Sequence, residues 1–228
     1  MAQTPALRRI DLHIHTEYSK TSEVTVEKLA AFIRDHQLPM ATVTDFGTIR
    51  ACRELRELVD CPVFTGVEVR APQGDFLVFS TDEGYLDDLP ATIGGVAELR
   101  HDEETAVIWA HPFVNQRAKS YEVIGLPEVE SVLPHVDGIE LFNGTMISLH
   151  QQNLLRPGYF QNLMRIASDM GLVMTGGSDA HEPQVLGRCF TSFLEEIADA
   201  ASLVAALKGC RAIPGYDHEF FGVSIPLG

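Results

Sequence analysis

No apolar run in this chain approaches the roughly 20 residues that cross a bilayer, so no membrane helix is expected. The stretch from Met1 to Arg9 carries two arginines but lacks the apolar block of a secretion signal, and the expected compartment is the cytoplasm. Cysteine is scarce. Cys52, Cys61, Cys189 and Cys210 form no Cys-x-x-Cys pair, which argues against a cysteine-held structural zinc and leaves reduced thiols that pack, with a disulfide as the alternative. Basic residues are also few: 17 Lys and Arg against 32 Asp and Glu give a net charge of −15, which disfavours long nucleic acid as a partner. Bound divalent cations would reverse that sign locally, so a small phosphorylated substrate remains compatible. A Gly-x-Ser-x-Gly elbow, a Walker loop and a dinucleotide fingerprint are all missing.

What is present is an ordinary globular composition, 45% hydrophobic and 21% charged, in a length that suits one domain over 1–228. Short apolar stretches alternate with amphipathic ones, the pattern of repeated βα units. The spacing predicts strands over 8–15, 40–44, 63–69, 76–80, 106–110, 138–142 and 172–175. Helices are expected over 26–37, with Thr25 as N-cap, over 50–59 and over much of 152–170, broken at Pro157-Gly158. Residues 86–100 are helix-prone. The aromatic stretch Phe220 to Val223 reads as closing the fold.

In the first strand, Asp11, His13 and His15 share a face, while Ile10, Leu12 and Ile14 point into an apolar layer. Alone, such a pair of histidines is unremarkable, because histidine serves surfaces and cores alike. The other strands change its meaning. At or just beyond their C-terminal ends stand Asp45, Glu68, His111, Asn143, Asp179 and His181. In α/β barrels that rim builds active sites. Imidazoles with carboxylates suit zinc, manganese or iron, and one Glu can bridge two ions. Ions a few ångströms apart clamp a phosphate and deliver a hydroxide for in-line attack.

The ordered set His13-x-His15, Thr44-Asp45-Phe46, Gly66-x-Glu68, His111-Pro112, Glu140-x-x-Asn143 and Gly177-Ser178-Asp179-Ala180-His181 resembles that of the PHP (polymerase and histidinol phosphatase) family. The resemblance spans His13 to His181. It implies an α/β fold, a distorted (β/α)7 TIM-like barrel holding up to three divalent metals and hydrolysing phosphoesters. By motif position His13, His15, Glu68 and Asp179 correspond to the ligands of a first metal, with Glu68 bridging. His111 corresponds to a ligand of the second and His181 to one of the third. His150 is a candidate for the remaining ligand of the second metal, with a surface histidine as the alternative.

Two departures stand out. Where the family reads Thr-Asp-His this chain has Phe46, which cannot ligate, and Lys20 stands where the family often places an anionic or neutral ligand. One or two ions are therefore expected, with the third position lost. Lys20 is either a phosphate contact or a solvated loop residue, and Arg70, on the strand face of Glu68, either meets substrate phosphate or pairs with a carboxylate. Arg188 is a weaker substrate candidate of the same kind. Asp179, His181 and Asp45 are the catalytic candidates, Asp45 by orienting a ligand and His181 as the acid for the leaving oxygen. The expected activity is hydrolysis of a small phosphomonoester or short nucleotide. A catalytically impaired metal-binding or regulatory domain is the alternative, and a C–N amidohydrolase fits the Gly-Ser-Asp-Ala-His motif less well.

Overall fold

Thr25 accepts a hydrogen bond from Lys28 N and starts a helix over Val26–Asp35 (α1), whose Val26, Leu29, Ala30 and Ile33 are buried at the spacing of one helical face. The computed structural model describes residues 8–113 and 126–226, with 126–128 described as backbone alone. Around α1 the strands are β1 (Arg8–Ile10), β2 (Ala41–Val43), β3 (Val63–Ala71), β4 (Gly74–Ser80), β5 (Thr105–Ala110), β6 (Gly138–Asn143), β7 (Val173–Gly177), β8 (Cys189–Phe193) and β9 (Ala212–Tyr216). The remaining helices are α2 (Arg50–Arg56), α3 (Glu83–Asp88), α4 (Leu126–Val132), α5 (Gly144–Gln151), α6 (Tyr159–Met170), α7 (Ala200–Lys208) and α8 (His218–Phe221).

Six strands form one sheet in the order β2-β3-β4-β5-β6-β7, and β1, β8 and β9 form a second, antiparallel one. Within the large sheet β4 runs antiparallel to both β3 and β5, because Pro72 and Gln73 turn the chain straight back with no helix between. The other pairings are parallel. Residues 11–15, expected as the rest of the first strand, instead bridge the two edges of the large sheet. Thr44 N donates to Ile14 O at 2.9 Å just past β2, and His15 N to Ala180 O at 3.1 Å just past β7. One segment can reach both edges only if the sheet curls, and this curl carries the strand ends toward a common centre.

Helix boundaries differ from expectation for local reasons. Asn143 caps α5 by accepting from Met146 N at 3.1 Å, so that helix starts directly after β6 and ends where the sequence pattern places a helix start. Gly158, at φ 79°, then opens α6. Within 86–100 only the end of α3 is α-helical, since Pro90 and the Gly94-Gly95 pair interrupt the remainder of that stretch. The C-terminal strands β8 and β9 carry no clear alternation in the sequence, yet they pack against β7. Phe221 is buried and joins the main core, whereas Phe220 is exposed. All four cysteines are free thiols. Among the described residues no helix is long and apolar enough to cross a membrane.

The largest core cluster lies between the sheet and α3 to α6 and includes Trp109, which is 1% exposed with Phe113 at 5.2 Å and Phe76 at 6.4 Å between ring centroids. Trp109→Ala is expected to cost about 3–5 kcal/mol, read as a lower denaturant midpoint.

Candidate metal centre

Pleat alternation on β3 buries Val67 and Val69 on one face and sends Glu68 and Arg70 to the other. Beside Glu68, the bridging segment delivers His13 and His15, the end of β5 delivers His111, and the turn after β7 delivers Asp179. All five are buried. His111 and Asp179 adopt positive φ values of 29° and 54°, a conformation in which His and Asp are enriched among non-glycine residues. Gly177 admits the close approach: a Cβ there would lie 2.8 Å from both His13 N and Glu140 Oε1.

The donor atoms converge. Nε2 of His13 and Nε2 of His15 face one another at 3.1 Å. Glu68 Oε2 lies 3.3 Å from the first and 2.8 Å from the second, and Asp179 Oδ1 lies 3.5 and 3.4 Å from them. These separations match the edge, about 3.3 Å, of a tetrahedron of donors around a zinc-sized ion. The other Glu68 oxygen, Oε1, stands 3.4 Å from His111 Nε2. Two groups of potential ligands result, His13–His15–Asp179 and His13–Glu68–His111, sharing His13. Among the described residues His111 Nδ1 is buried without a hydrogen-bond partner. Two imidazole nitrogens turned toward each other among carboxylates satisfy themselves poorly with protons and well with a cation, so this donor set fits divalent metal.

The electrostatics agree. Burial disfavours the charged form of His13, but Glu140, Asp179 and Glu68 outweigh it and hold its pKa well above the ordinary histidine range. His15 is raised against burial by Asp179 and Glu68, and His111 is raised to about 9, again against burial, chiefly by Glu68. Burial also disfavours the ionised form of Glu68 and Asp179, yet the imidazoles around them, His13 first, pull both well below the ordinary carboxylate range.

A layer of buried polar groups aims these ligands. Glu140, part of the Glu-x-x-Asn motif but without a role assignable from the sequence, lies 3.0 Å from His13 Nδ1 and accepts from His111 N and Asn143 Nδ2, both at 2.9 Å. By occupying Nδ1 it turns Nε2 of His13 to the centre. Asp11 accepts backbone N–H groups from His13, Ser178 and Gly187 at 3.2, 2.8 and 2.9 Å, tying the two ligand loops together, while burial pushes its carboxyl up to about 6. Asp45 does not face the centre. Its oxygens are taken by Thr16 N, Thr16 Oγ1 and Ser19 Oγ, and Ser19 Oγ meets His15 Nδ1 at 2.9 Å, so Asp45 acts on His15 through Ser19. Ser19→Ala breaks that relay. It is expected to weaken cation binding about tenfold, read by competition with a chromophoric chelator.

The remaining candidates separate. His181 sits at the rim, its side chain 31% exposed and its ring 4.4 Å from that of His15, with its pKa lowered by burial and by His15. Phe46 stacks on His15 at 4.5 Å, and the Arg70 guanidinium lies 3.7 Å over the Phe46 ring. Lys20 is exposed at the left-handed cap of a short 3-10 turn. His150 lies on α5, edge-on to Phe160 at 5.4 Å, and belongs to neither ligand group, because α5 begins earlier than the sequence suggests. Arg188 is drawn away by an ion pair with Asp217 at 2.6 Å and by the Phe220 ring at 4.3 Å.

A family model described as PHP-associated matches residues 161–210. No curated protein matches the sequence significantly. Among solved structures, a two-domain protein from Bacteroides vulgatus containing a predicted PHP-like metal-dependent phosphoesterase is similar over 92% of this chain, with TM-score 0.64 and 17% identity. The match covers 65% of that protein, so the chain spans just under two thirds of its length. PsfC from Pseudomonas syringae matches over 93% of both chains, with TM-score 0.64 and 17% identity. The lesion-specific endonuclease PfuEndoQ from Pyrococcus furiosus matches over 89% of this chain and 56% of its own, with TM-score 0.62 and 17% identity. At such identities the likeness is one of fold. The matched segment and the fold are similar to those of PHP-type proteins.

Proposed function

We propose that the chain is a metal-dependent phosphoesterase acting on a small phosphorylated molecule. The observation that carries this reading is Glu68, whose two oxygens address different imidazoles, Oε2 those of His13 and His15 and Oε1 that of His111. His13, His15, Glu68 and Asp179 would hold one divalent cation, and Glu68 with His111 a second. Such cations polarise a phosphoryl oxygen and lower the pKa of water. The same reading takes the curled sheet and the segment bridging its edges together as the distorted (β/α)7 barrel.

The chain's own groups supply orientation and proton movement. Glu140 fixes the His13 ring and Ser19 the His15 ring. His181 Nδ1 lies 3.0 Å from the carbonyl of Asp179, and a carbonyl only accepts, so Nδ1 carries the proton and Nε2 keeps its lone pair. In that state Nε2 is the atom that would take a proton from the attacking water, while the leaving oxygen, on the opposite side of phosphorus in an in-line displacement, would take its proton from solvent. The net charge of −15 supports a small substrate over a long polyanion.

Chelator treatment is expected to abolish hydrolysis of p-nitrophenyl phosphate, and added Mn2+ or Zn2+ to restore it. Activity indifferent to chelation would refute the reading. Tight cation binding with no turnover of any phosphoester would favour a regulatory domain.

A further inference from the structure

Arg70 leaves β3 on the face of Glu68, yet it forms no ion pair among the described residues, unlike Arg53, Arg56, Arg100, Arg188 and Arg211, each of which meets a carboxylate. Both oxygens of neighbouring Glu68 are committed to imidazoles. Its guanidinium carbon instead lies 3.7 Å from the centroid of the Phe46 ring, and its Nε is buried with no hydrogen-bond partner among the described residues. A buried donor left unmatched costs about 1–3 kcal/mol, which an arriving acceptor recovers. Phe46 is in turn stacked on His15 at 4.5 Å, so the platform is fixed to the ligand set itself.

We propose that Arg70, held on Phe46, is the specificity-determining residue that selects a phosphomonoester over a diester. This rests on the phosphoesterase reading above. The residue that removes a metal ligand from the third position supplies the surface that orients a permanent cation beside it. A guanidinium presents its donors as a planar fork that pairs with two oxygens at once, and a stacked ring fixes the plane of that fork. A monoester offers three unesterified oxygens and close to two negative charges near neutral pH, so an oxygen would remain for Arg70 when cations held by the imidazole–carboxylate cluster engage the others. A diester offers only two such oxygens and one charge. Arg70 therefore rewards the terminal phosphate.

The test uses the full chain loaded with Mn2+, inorganic phosphate as calorimetric probe, and p-nitrophenyl phosphate against bis-p-nitrophenyl phosphate as substrates. Arg70→Met, which keeps a side chain to cover Phe46, is expected to weaken phosphate binding about 10- to 100-fold and to lower the monoester-to-diester ratio of kcat/KM by a similar factor, with bound cation unchanged. Arg70→Lys, which keeps the charge but not the fork, falls between Met and wild type. Equal phosphate affinity and an equal ester ratio in Arg70→Met and wild type would overturn the assignment while leaving the phosphoesterase reading intact. A wild type that turns over neither ester would sink the hydrolase reading and the ester selectivity with it, whatever Arg70→Met does to phosphate binding.

Discussion

His13→Ala is expected to remove hydrolysis and cation uptake together while the fold persists. His13 is the one imidazole shared by both ligand groups, its Nε2 facing His15, Glu68 and Asp179 and its Nδ1 held by Glu140. Cations at such sites supply several kcal/mol of transition-state stabilisation, so their loss corresponds to a fall in kcat/KM of about 10³-fold or more. Alanine keeps the Cβ that packs beside Gly177, so the backbone bridge between the two sheet edges survives. Elemental analysis together with p-nitrophenyl phosphate turnover checks both halves. Retained activity with retained cation would mean that the centre lies elsewhere.

Glu140→Gln is expected to have the next largest effect, although Glu140 belongs to neither ligand group. Its carboxylate faces three groups at once: the His13 ring nitrogen and the donors His111 N and Asn143 Nδ2. Glutamine offers one acceptor oxygen and one donor nitrogen, so at least one of these groups meets an N–H instead of a lone pair. An unsatisfied buried donor costs about 1–3 kcal/mol of stability, and a misaimed His13 costs about 10- to 100-fold in cation affinity. Chelator competition and thermal unfolding read the two effects separately. Unchanged cation affinity would mean that His13 holds its orientation without Glu140.

The candidate ligands are legible in the sequence because each lies where a pattern is sharp. Period-two alternation pairs His13 with His15, and apolar strands end visibly before His111 and Asp179. What aims them is not legible there. Glu140 meets His13 across 127 residues and Asp45 reaches Ser19 across 26, and no local period encodes such contacts. His150 departs from its expected place because Asn143, a rim residue, is also a helix cap, which moves α5 forward and turns His150 onto Phe160. Pro72-Gln73-Gly74 reads as a turn in the sequence, and it joins β3 to an antiparallel β4 without a crossover. Phe46 is visible in the sequence as a departure from the Thr-Asp-His pattern, but its contact with Arg70 depends on two chain segments meeting and emerges only in three dimensions.

Anomalous scattering from crystals soaked in Mn2+ or Zn2+ tests the metal centre most directly. A peak is expected among His13 Nε2, His15 Nε2, Glu68 Oε2 and Asp179 Oδ1, with any second peak between Glu68 Oε1 and His111 and none at Phe46. A protein that takes up no ion there, or binds it only at other residues, would contradict the assignment.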